Sequence, residues 1–231
     1  MLAPALFAAD AVAPAKPIEL FNGRDLGGWV QVVKAGDKID PTTWSVADGV
    51  IKCTGAPNGY IRTERSYKNY KLTVEWRWSG PDLPPNAQGH PRNRNSGVLL
   101  HADAADTTWP NALEAQLQQT NAGDFHHMGT VETAEVLAAR AKAAADAGGD
   151  TEAAKRAAGV RRLPKAKESS EKPIGEWNRY EITCAGDAVT LLVNGVPQNH
   201  ATKANVTEGF ICLQSEGAAI EFRNVKLTPL E

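Results

Sequence analysis

Short runs in which polar and apolar residues alternate recur along this chain, and a period of two predicts β-strands. The clearest run is Tyr70–Ser79, where one face carries Leu72, Val74, Trp76 and Trp78. Strand follows strand with turn residues between them, and almost no helical period interrupts the series. This pattern predicts an all-β fold, a jelly-roll sandwich of two antiparallel sheets.

Further alternating runs predict strands in both halves of the chain. They are a hairpin at Trp44–Cys53, a short strand at Ile61–Thr63, and strands at Trp177–Ala185, Ala188–Val193, Gly209–Gln214 and Ile220–Leu227. Asn194-Gly195 adds a strong hairpin signal, because this dipeptide favours the turn that joins two antiparallel strands. The second half therefore repeats the organisation of the first.

Three of the predicted strands carry polar residues at alternate positions. Because side chains alternate between the two faces of a strand, each of these sets shares one face. The sets are Glu75 with Arg77, Asn95 with His101, and Glu114 with Gln116 and Gln118. Carboxylates, amides, an imidazole and a guanidinium on neighbouring strands predict a surface that binds a polar ligand, and a small carbohydrate is the expected class.

One segment departs from the strand pattern. Residues 131–159 are rich in Ala, Glu, Lys and Arg, which favour helix, and Gly148-Gly149 is expected to separate two helical pieces. A basic tail, Arg161–Lys172, follows. We interpret residues 131–172 as an insertion into a domain that spans residues 17–230, either a solvated helix or a lid or oligomer contact.

Composition excludes some classes of partner. The 231-residue chain has a formal net charge of −2 and no basic stripe, so no nucleic-acid partner is expected. No apolar run reaches the roughly 18 residues that span a bilayer. Residues 1–16 look like the remnant of a secretory signal or a disordered N-terminus, and the first reading predicts a periplasmic or secreted protein.

The three cysteines, Cys53, Cys184 and Cys212, show no metal-type spacing. Cys184 and Cys212 lie in predicted strands, where small buried apolar side chains are the expected role. One disulfide is the alternative if the protein is periplasmic.

Nine short motifs together resemble the 3-keto-disaccharide hydrolase family, which has a concanavalin-like, laminin-G-type β-sandwich. The resemblance covers roughly Pro17 to Leu230, apart from the insertion. The motifs are FNGRDLGGW at Phe21–Trp29, WSVADGVI at Trp44–Ile51, YKLTVEWR at Tyr70–Arg77, NSGV at Asn95–Val98, EAQ at Glu114–Gln116, GEWN at Gly175–Asn178, VNG at Val193–Gly195, GFICLQSEG at Gly209–Gly217 and FRNVKL at Phe222–Leu227.

The chain departs from the family pattern at two places besides the insertion. His101 stands where the family commonly has an arginine, and Leu117–Asn121 replaces a turn that often bears an aspartate. Endoglucanases of the same fold carry E-x-D-x-x-E on one strand, whereas this strand reads Glu114-Ala-Gln-Leu-Gln-Gln. A retaining mechanism with two carboxylates is therefore not encoded on this strand.

The resemblance implies an enzyme that cleaves glycosides whose glucosyl unit carries a ketone at carbon 3. The ketone acidifies the hydrogen on carbon 2, so a base can remove it and the enolate can expel the aglycone. Water then adds to the unsaturated sugar, which gives net hydrolysis, whereas a reaction that stops at elimination makes the protein a lyase. This route needs a base, an enolate stabiliser and an acid.

Three residues are the catalytic candidates. Glu114 is predicted to be the base, with a role as an anchor for sugar hydroxyls as the alternative. His101 is a base, an acid or a metal ligand, or else a strand-end histidine with a satisfied hydrogen bond. Arg77 is predicted to hold the enolate oxygen, unless it forms an ion pair with Glu75. The predicted substrate-binding residues are Glu75, Asn95, Gln116, Gln118 and, as a stacking platform, Trp109.

No cofactor is certain from the sequence, but a divalent metal ion is an alternative means of stabilising the enolate. The candidate ligands are Glu75, His101, Glu114, Asp124 and His126. Two other classes of function stay open. A carbohydrate-binding, lectin-like module would bind the sugar without cleaving it, and a scaffold sandwich would oligomerise through the insertion but leave the polar face unexplained.

Overall fold

Two antiparallel sheets face each other in the computed structural model, which describes residues 10–33 and 37–231. Within these ranges the first sheet, sheet I, has eight strands in the order β13-β12-β11-β6-β15-β4-β3, with β1 also paired to β15. Its strands are β1 (Ile18–Glu19), β3 (Trp44–Ala47), β4 (Val50–Cys53), β6 (Tyr70–Trp78), β11 (Asn178–Ala185), β12 (Ala188–Val193), β13 (Val196–Ala201) and β15 (Ile220–Pro229).

The second sheet, sheet II, has seven strands over the same described ranges, in the order β10-β9-β8-β7-β14-β5-β2. Its strands are β2 (Trp29–Val33), β5 (Gly59–Thr63), β7 (Gly97–Ala102), β8 (Ala112–Gln116), β9 (Phe125–Met128), β10 (Arg162–Leu163) and β14 (Phe210–Ser215). The two-sheet antiparallel sandwich expected from the alternating pattern is confirmed.

The core lies between the sheets and consists of the alternate apolar residues of their strands. On β6, Leu72, Val74, Trp76 and Trp78 are each at most 2% exposed, as the alternation predicts. Burying side chains of this size stabilises the fold by about 1.5–3 kcal/mol each. The three cysteines are buried and free, so Cys184 and Cys212 have the predicted role of small apolar side chains.

The N-terminal segment is described only in part. Residues 1–9, the greater part of the predicted signal remnant or disordered terminus, lie outside the described residues. Residues 10–16 pack on the sandwich: the Val12 amide donates to the Ser66 carbonyl at 2.9 Å, and the Lys68 amide donates to the Val12 carbonyl at 3.0 Å.

The insertion contains two helices, α1 (Ala134–Asp146) and α2 (Thr151–Ala158), and Gly148-Gly149 separates them as predicted. The buried His127 of β9 holds the insertion against sheet II through two contacts. One ring nitrogen lies 3.0 Å from the hydroxyl of Thr133, which caps α1, and the other lies 2.9 Å from the Arg161 carbonyl. Among the described residues, neither helix is long and apolar enough to cross a bilayer.

Tyr180 connects the two sheets. Its side chain extends from β11 of sheet I, donates a hydrogen bond to the Gln116 carbonyl at 3.0 Å and accepts one from the Gly123 amide at 2.7 Å. Gln116 is the last residue of β8 and Gly123 lies just before β9, so this hydroxyl fixes the end of the strand that carries Glu114 and Gln116.

Replacing Tyr180 by phenylalanine is expected to lower the free energy of unfolding by about 1–2 kcal/mol, because the Gln116 carbonyl and the Gly123 amide each lose a buried hydrogen bond, although the longer 3.3 Å bond between them remains. Urea denaturation measures the effect. The matched control is Tyr70→Phe, since the buried Tyr70 hydroxyl has no backbone partner among the described residues and lies only beside the weakly bonding Cys184 thiol. Equal destabilisation by the two changes would contradict the role given to the Tyr180 hydroxyl.

Candidate active site

The register of sheet II brings polar residues of three strands, β8, β9 and β14, together on the face that points away from the core. Glu114 of β8 pairs with Leu99 of β7 on one side and with His126 of β9 on the other. Gln116 pairs with Gly97. Directly paired residues have Cβ atoms about 4.5–5.5 Å apart, so His126 is an immediate neighbour of Glu114.

Two adjoining cavities open on this face. The inner pocket has a volume of about 160 Å³ and is lined by Asn95, Trp109, Glu114, Gln116, His126, Gln214 and Glu216. The outer cleft has a volume of about 340 Å³ and is lined by Asn58, Leu83, Arg92, Asn93, Asn95, Gln118, Glu216 and Gly217. Asn95 and Glu216 line both, so the two cavities form one continuous polar channel.

Glu114 lines the inner pocket and is only 5% exposed. Its carboxyl group covers Gly97, and a Cβ atom at position 97 would overlap Oε1 of Glu114. Burial, and secondarily the charge of Glu216, raises the pKa of Glu114 to about 8. A carboxyl group with this pKa exchanges its proton near neutral pH, as a general acid or base must.

Glu216, just beyond the end of β14, is a second carboxyl group of the same pocket. Burial raises its pKa to about 7, although the neighbouring Asn95 side chain partly lowers it. The sequence reasoning did not select Glu216. The signal was present in the GFICLQSEG motif, where Cys212, Gln214 and Glu216 alternate along a strand and its end.

Three oxygen atoms in the inner pocket are buried and have no hydrogen-bond partner among the described residues. They belong to the side chains of Asn95 (Oδ1), Glu114 (Oε1) and Gln214 (Oε1). A buried polar atom without a partner costs about 1–3 kcal/mol. Converging acceptors of this kind suit a ligand that brings several hydroxyl donors.

Three predicted binding residues, Gln116, Trp109 and Gln118, also line the channel. Gln116 Oε1 accepts hydrogen bonds from the amides of Leu117 and Gln118, both at 2.8 Å, which leaves the Gln116 side-chain nitrogen as the donor towards a ligand. Trp109 stands at the rim of the inner pocket and is 44% exposed, as a stacking platform must be. Gln118 lines the outer cleft.

The long loop before β7 forms part of the outer cleft, and Arg94 anchors it. Its guanidinium group is buried and donates to the carbonyls of Ser79 and Pro81, at 2.9 and 3.0 Å, and to Asp82 at 3.2 Å. The charged side chain thus satisfies the backbone of the turn and fixes the adjoining Asn95.

His101 is not part of this site. A β-bulge, with a φ of 54° at His101, breaks the alternation on β7 and turns the imidazole into the core. There it lies edge-on to Tyr70 of sheet I, at a centroid distance of 5.7 Å. Burial lowers the pKa of His101 to about 4, so the ring is neutral at pH 7. The catalytic role predicted for His101 is therefore wrong.

Glu75 and Arg77 are also remote from the pocket, because they lie on the outer face of sheet I. Arg77 pairs with Glu221 at 2.6 Å, and Glu75 pairs with Arg223 at 2.7 Å. Both guanidinium groups stack on Trp177, at 4.7 and 4.0 Å from the ring centroid. The predictions that Arg77 holds an enolate and that Glu75 binds substrate are wrong, and Arg77 does not pair with Glu75 either.

The five candidate metal ligands do not meet in one place. Glu75 lies on the other sheet, His101 lies in the core, and the buried Asp124 accepts from Arg162 at 2.6 Å and from the Lys165 amide at 2.7 Å. Glu114 and His126 alone share the inner pocket. Over residues 10–33 and 37–231 no group of three or more His, Cys, Asp or Glu residues has the arrangement of a metal site.

A larger depression, of about 440 Å³, lies on the outer face of sheet I. Among the described residues, its lining includes no buried oxygen atom without a partner and no carboxyl group with a raised pKa. Of its four charged side chains, three pair with one another or with the C-terminal residue, Arg179 with Glu181 at 2.9 Å and Lys71 with Glu231 at 3.3 Å, and the fourth is Lys226. The channel on sheet II is therefore the candidate active site.

Proteins of known name and structure resemble this chain over most of its length. A 3-keto-disaccharide hydrolase from Bacteroides thetaiotaomicron is 22% identical, and the match covers 93% of this chain and 78% of the relative. The crystal structure of a proposed glycosyl hydrolase from Parabacteroides distasonis superposes with a TM-score of 0.59 at 20% identity, covering 93% of this chain and all of that one.

A carbohydrate binding module from Bacillus subtilis superposes with a TM-score of 0.52 at 11% identity, covering 86% of this chain and 94% of the module. Likeness at this level of identity shows the fold alone, and the same fold carries both binding and catalysis. The family model described as "3-keto-alpha-glucoside-1,2-lyase-like domain" matches residues 16–228. The chain therefore belongs to the 3-keto-α-glucoside-1,2-lyase-like family.

Proposed function

We propose that this protein cleaves 3-keto-glycosides, 3-keto-disaccharides among them, in the inner pocket of sheet II. The observation that carries the proposal is the buried Glu114 carboxyl group, which lies beside two other oxygen acceptors without partners and below an exposed tryptophan. Family membership and the name of the Bacteroides relative support the choice of substrate.

The chemistry needs few groups because the ketone activates the sugar. Removal of the carbon-2 proton forms an enolate on carbons 2 and 3. The enolate then re-forms the ketone, makes a double bond between carbons 1 and 2, and expels the aglycone oxygen, which takes up a proton. Addition of water across the new double bond gives the 3-keto sugar. Glu114 and Glu216 are the groups of the pocket whose pKa values suit these proton transfers.

Glu216 also makes ordinary glycoside hydrolysis the main alternative, because it supplies the second carboxylate that the β8 strand lacks. A carbohydrate-binding module is the alternative from another class. The oxidation state of the substrate separates elimination from ordinary hydrolysis, since only an elimination requires the ketone, and release of monosaccharide separates both from a binding module.

The outer cleft supplies room for a second sugar. The inner pocket alone is smaller than the cavities that usually hold a small ligand, about 300–1,000 Å³, whereas the channel as a whole falls in that range. The cleft walls carry the amides of Asn58, Asn93 and Gln118 and the guanidinium of Arg92, which suits the hydroxyl groups of a sugar aglycone.

Glu114→Gln is expected to reduce release of monosaccharide from a 3-keto-disaccharide by at least 100-fold, because the amide cannot exchange a proton. Chromatography of the released sugar measures the rate. The matched control is Glu75→Gln, which alters a carboxylate of the other sheet and should keep full turnover.

The unoxidised parent disaccharide is the second substrate in this experiment. Release from the ketone alone supports the proposal. Cleavage of the parent at a similar rate would assign ordinary glycosidase chemistry, and binding of either sugar without release would assign a binding module. Undiminished turnover by the Glu114 variant would reject this pocket as the active site.

Gln118→Ala is expected to raise the KM for a 3-keto-disaccharide about 5-fold, the value of one lost hydrogen bond of about 1 kcal/mol. It should not change the KM for methyl 3-keto-glucoside, whose methyl group does not reach the outer cleft. Initial-rate kinetics with both substrates make the comparison. Equal changes for the two substrates would show that the aglycone does not lie in this cleft.

A further inference from the structure

We propose that Glu114 and Glu216 divide the proton transfers between them: the Glu216 carboxylate removes the carbon-2 proton, and the protonated Glu114 carboxyl group donates to the departing glycosidic oxygen. This inference rests on the proposed function. It adds a catalytic residue, Glu216, and it gives Glu114 the acid role instead of the predicted base role.

The surroundings of Glu114 favour its neutral form. The carboxyl group is almost fully buried against Gly97, and its Oε1 has no hydrogen-bond donor among the described residues. A negative charge there would be poorly solvated and, at Oε1, unpaired, which is costly. A protonated carboxyl group has one O–H to donate, and the glycosidic oxygen that must leave is an acceptor for it.

The charged and titratable neighbours do not offset this preference. His126, the facing residue on β9, has its pKa lowered by burial and by Arg162, so it is neutral at pH 7. Arg162 of β10 is committed to Asp124 at 2.6 Å. The remaining neighbour, Glu216, carries the same sign of charge, which raises the pKa of Glu114 further.

Glu216 ionises more readily than Glu114, because burial raises its pKa only to about 7. It is half-buried at the junction of the inner pocket and the outer cleft, so water reaches it. The Asn95 side chain lowers its pKa, and Arg92 lines the same cleft. When two carboxyl groups interact, one proton is held by the pair, and the more buried member keeps it.

The proton balance closes without any further reactant. Glu216 accepts the carbon-2 proton as the enolate forms, and the Glu114 proton goes to the glycosidic oxygen as the bond from carbon 1 to that oxygen breaks. The pair is then left with the proton on Glu216 and the charge on Glu114. Addition of water places hydroxyl on carbon 1 and a proton on carbon 2, and returns the pair to its starting state.

The test separates the two proton transfers by the choice of leaving group. Methyl 3-keto-glucoside has a poor leaving group that needs an acid, whereas 4-nitrophenyl 3-keto-glucoside has a good one that does not. Wild type, Glu114→Gln and Glu216→Gln are incubated with each substrate in D₂O. Deuterium at carbon 2 and aglycone release are followed by NMR and absorbance, above the rate without enzyme, and circular dichroism verifies the fold.

Glu114→Gln should lose at least 100-fold in methanol release and less than 10-fold in nitrophenol release, and should still exchange the carbon-2 hydrogen. Glu216→Gln should lose exchange and both releases together. The opposite result, in which Glu114→Gln abolishes exchange and Glu216→Gln retains it, would overturn the assignment. Full activity of Glu216→Gln would overturn it as well. In both cases the wild type still cleaves the substrates, whereas a wild type that cleaves neither refutes the proposed function itself.

The pH dependence provides a second test. Below a pH of about 7 Glu216 takes up a proton and the base is lost, and above about 8 Glu114 loses its proton and the acid is lost. The kcat/KM for methyl 3-keto-glucoside should therefore rise and then fall across this window. For the nitrophenyl glycoside the alkaline fall should disappear, and its persistence there would contradict the acid role of Glu114.

Discussion

The close approach of the Glu114 carboxyl group to the backbone of Gly97 is the constraint on which the site depends. Sheet II can bury a carboxyl group at position 114 only because the neighbouring strand has no side chain at position 97, where a Cβ atom would overlap it. The tight fit removes water from the carboxyl group, and the loss of water raises its pKa to about 8. Tyr180 fixes the end of the same strand from the opposite sheet. Steric fit, burial and proton affinity are therefore consequences of one local geometry.

The alternating pattern predicted the sandwich because a period of two is a local property. Each strand needs an apolar face of its own, so Tyr70–Ser79 and its counterparts could be read without knowledge of their partners. The same reasoning placed Glu114 and Gln116 on one polar face, and the structure agrees. The pattern missed β9, whose Phe-His-His-Met sequence looks like a surface loop. The pattern also gives no sign that Trp177 lies against Arg77 and Arg223 on the outer face of sheet I.

The predictions for the site were wrong where they depended on which sheet a strand belongs to, because alternation along one strand does not show this. Alternation shows that Glu75 and Arg77 share a face, but not that β6 belongs to sheet I while β8 belongs to sheet II. The prediction for His101 was wrong for a different reason. One extra residue in a bulge reverses the faces of a strand, and no glycine in the sequence marks this bulge. Glu216 was missed because it follows the last residue of β14, so only the folded sheet brings it to Glu114.

The two outer faces of the sandwich show how a structural polar surface differs from a binding surface. On sheet I every charge in the set formed by Glu75, Arg77, Glu221 and Arg223 has an opposite partner, so the set is satisfied without a ligand. On sheet II three buried oxygen atoms lack partners in the described part of the chain, at a cost of about 1–3 kcal/mol each. The insertion reinforces this contrast, since it returns as β10 beside His126 and pairs Arg162 with Asp124, which keeps a cation away from Glu114. Under the proposed function, the hydroxyl groups of a bound sugar would supply the missing donors and offset this cost.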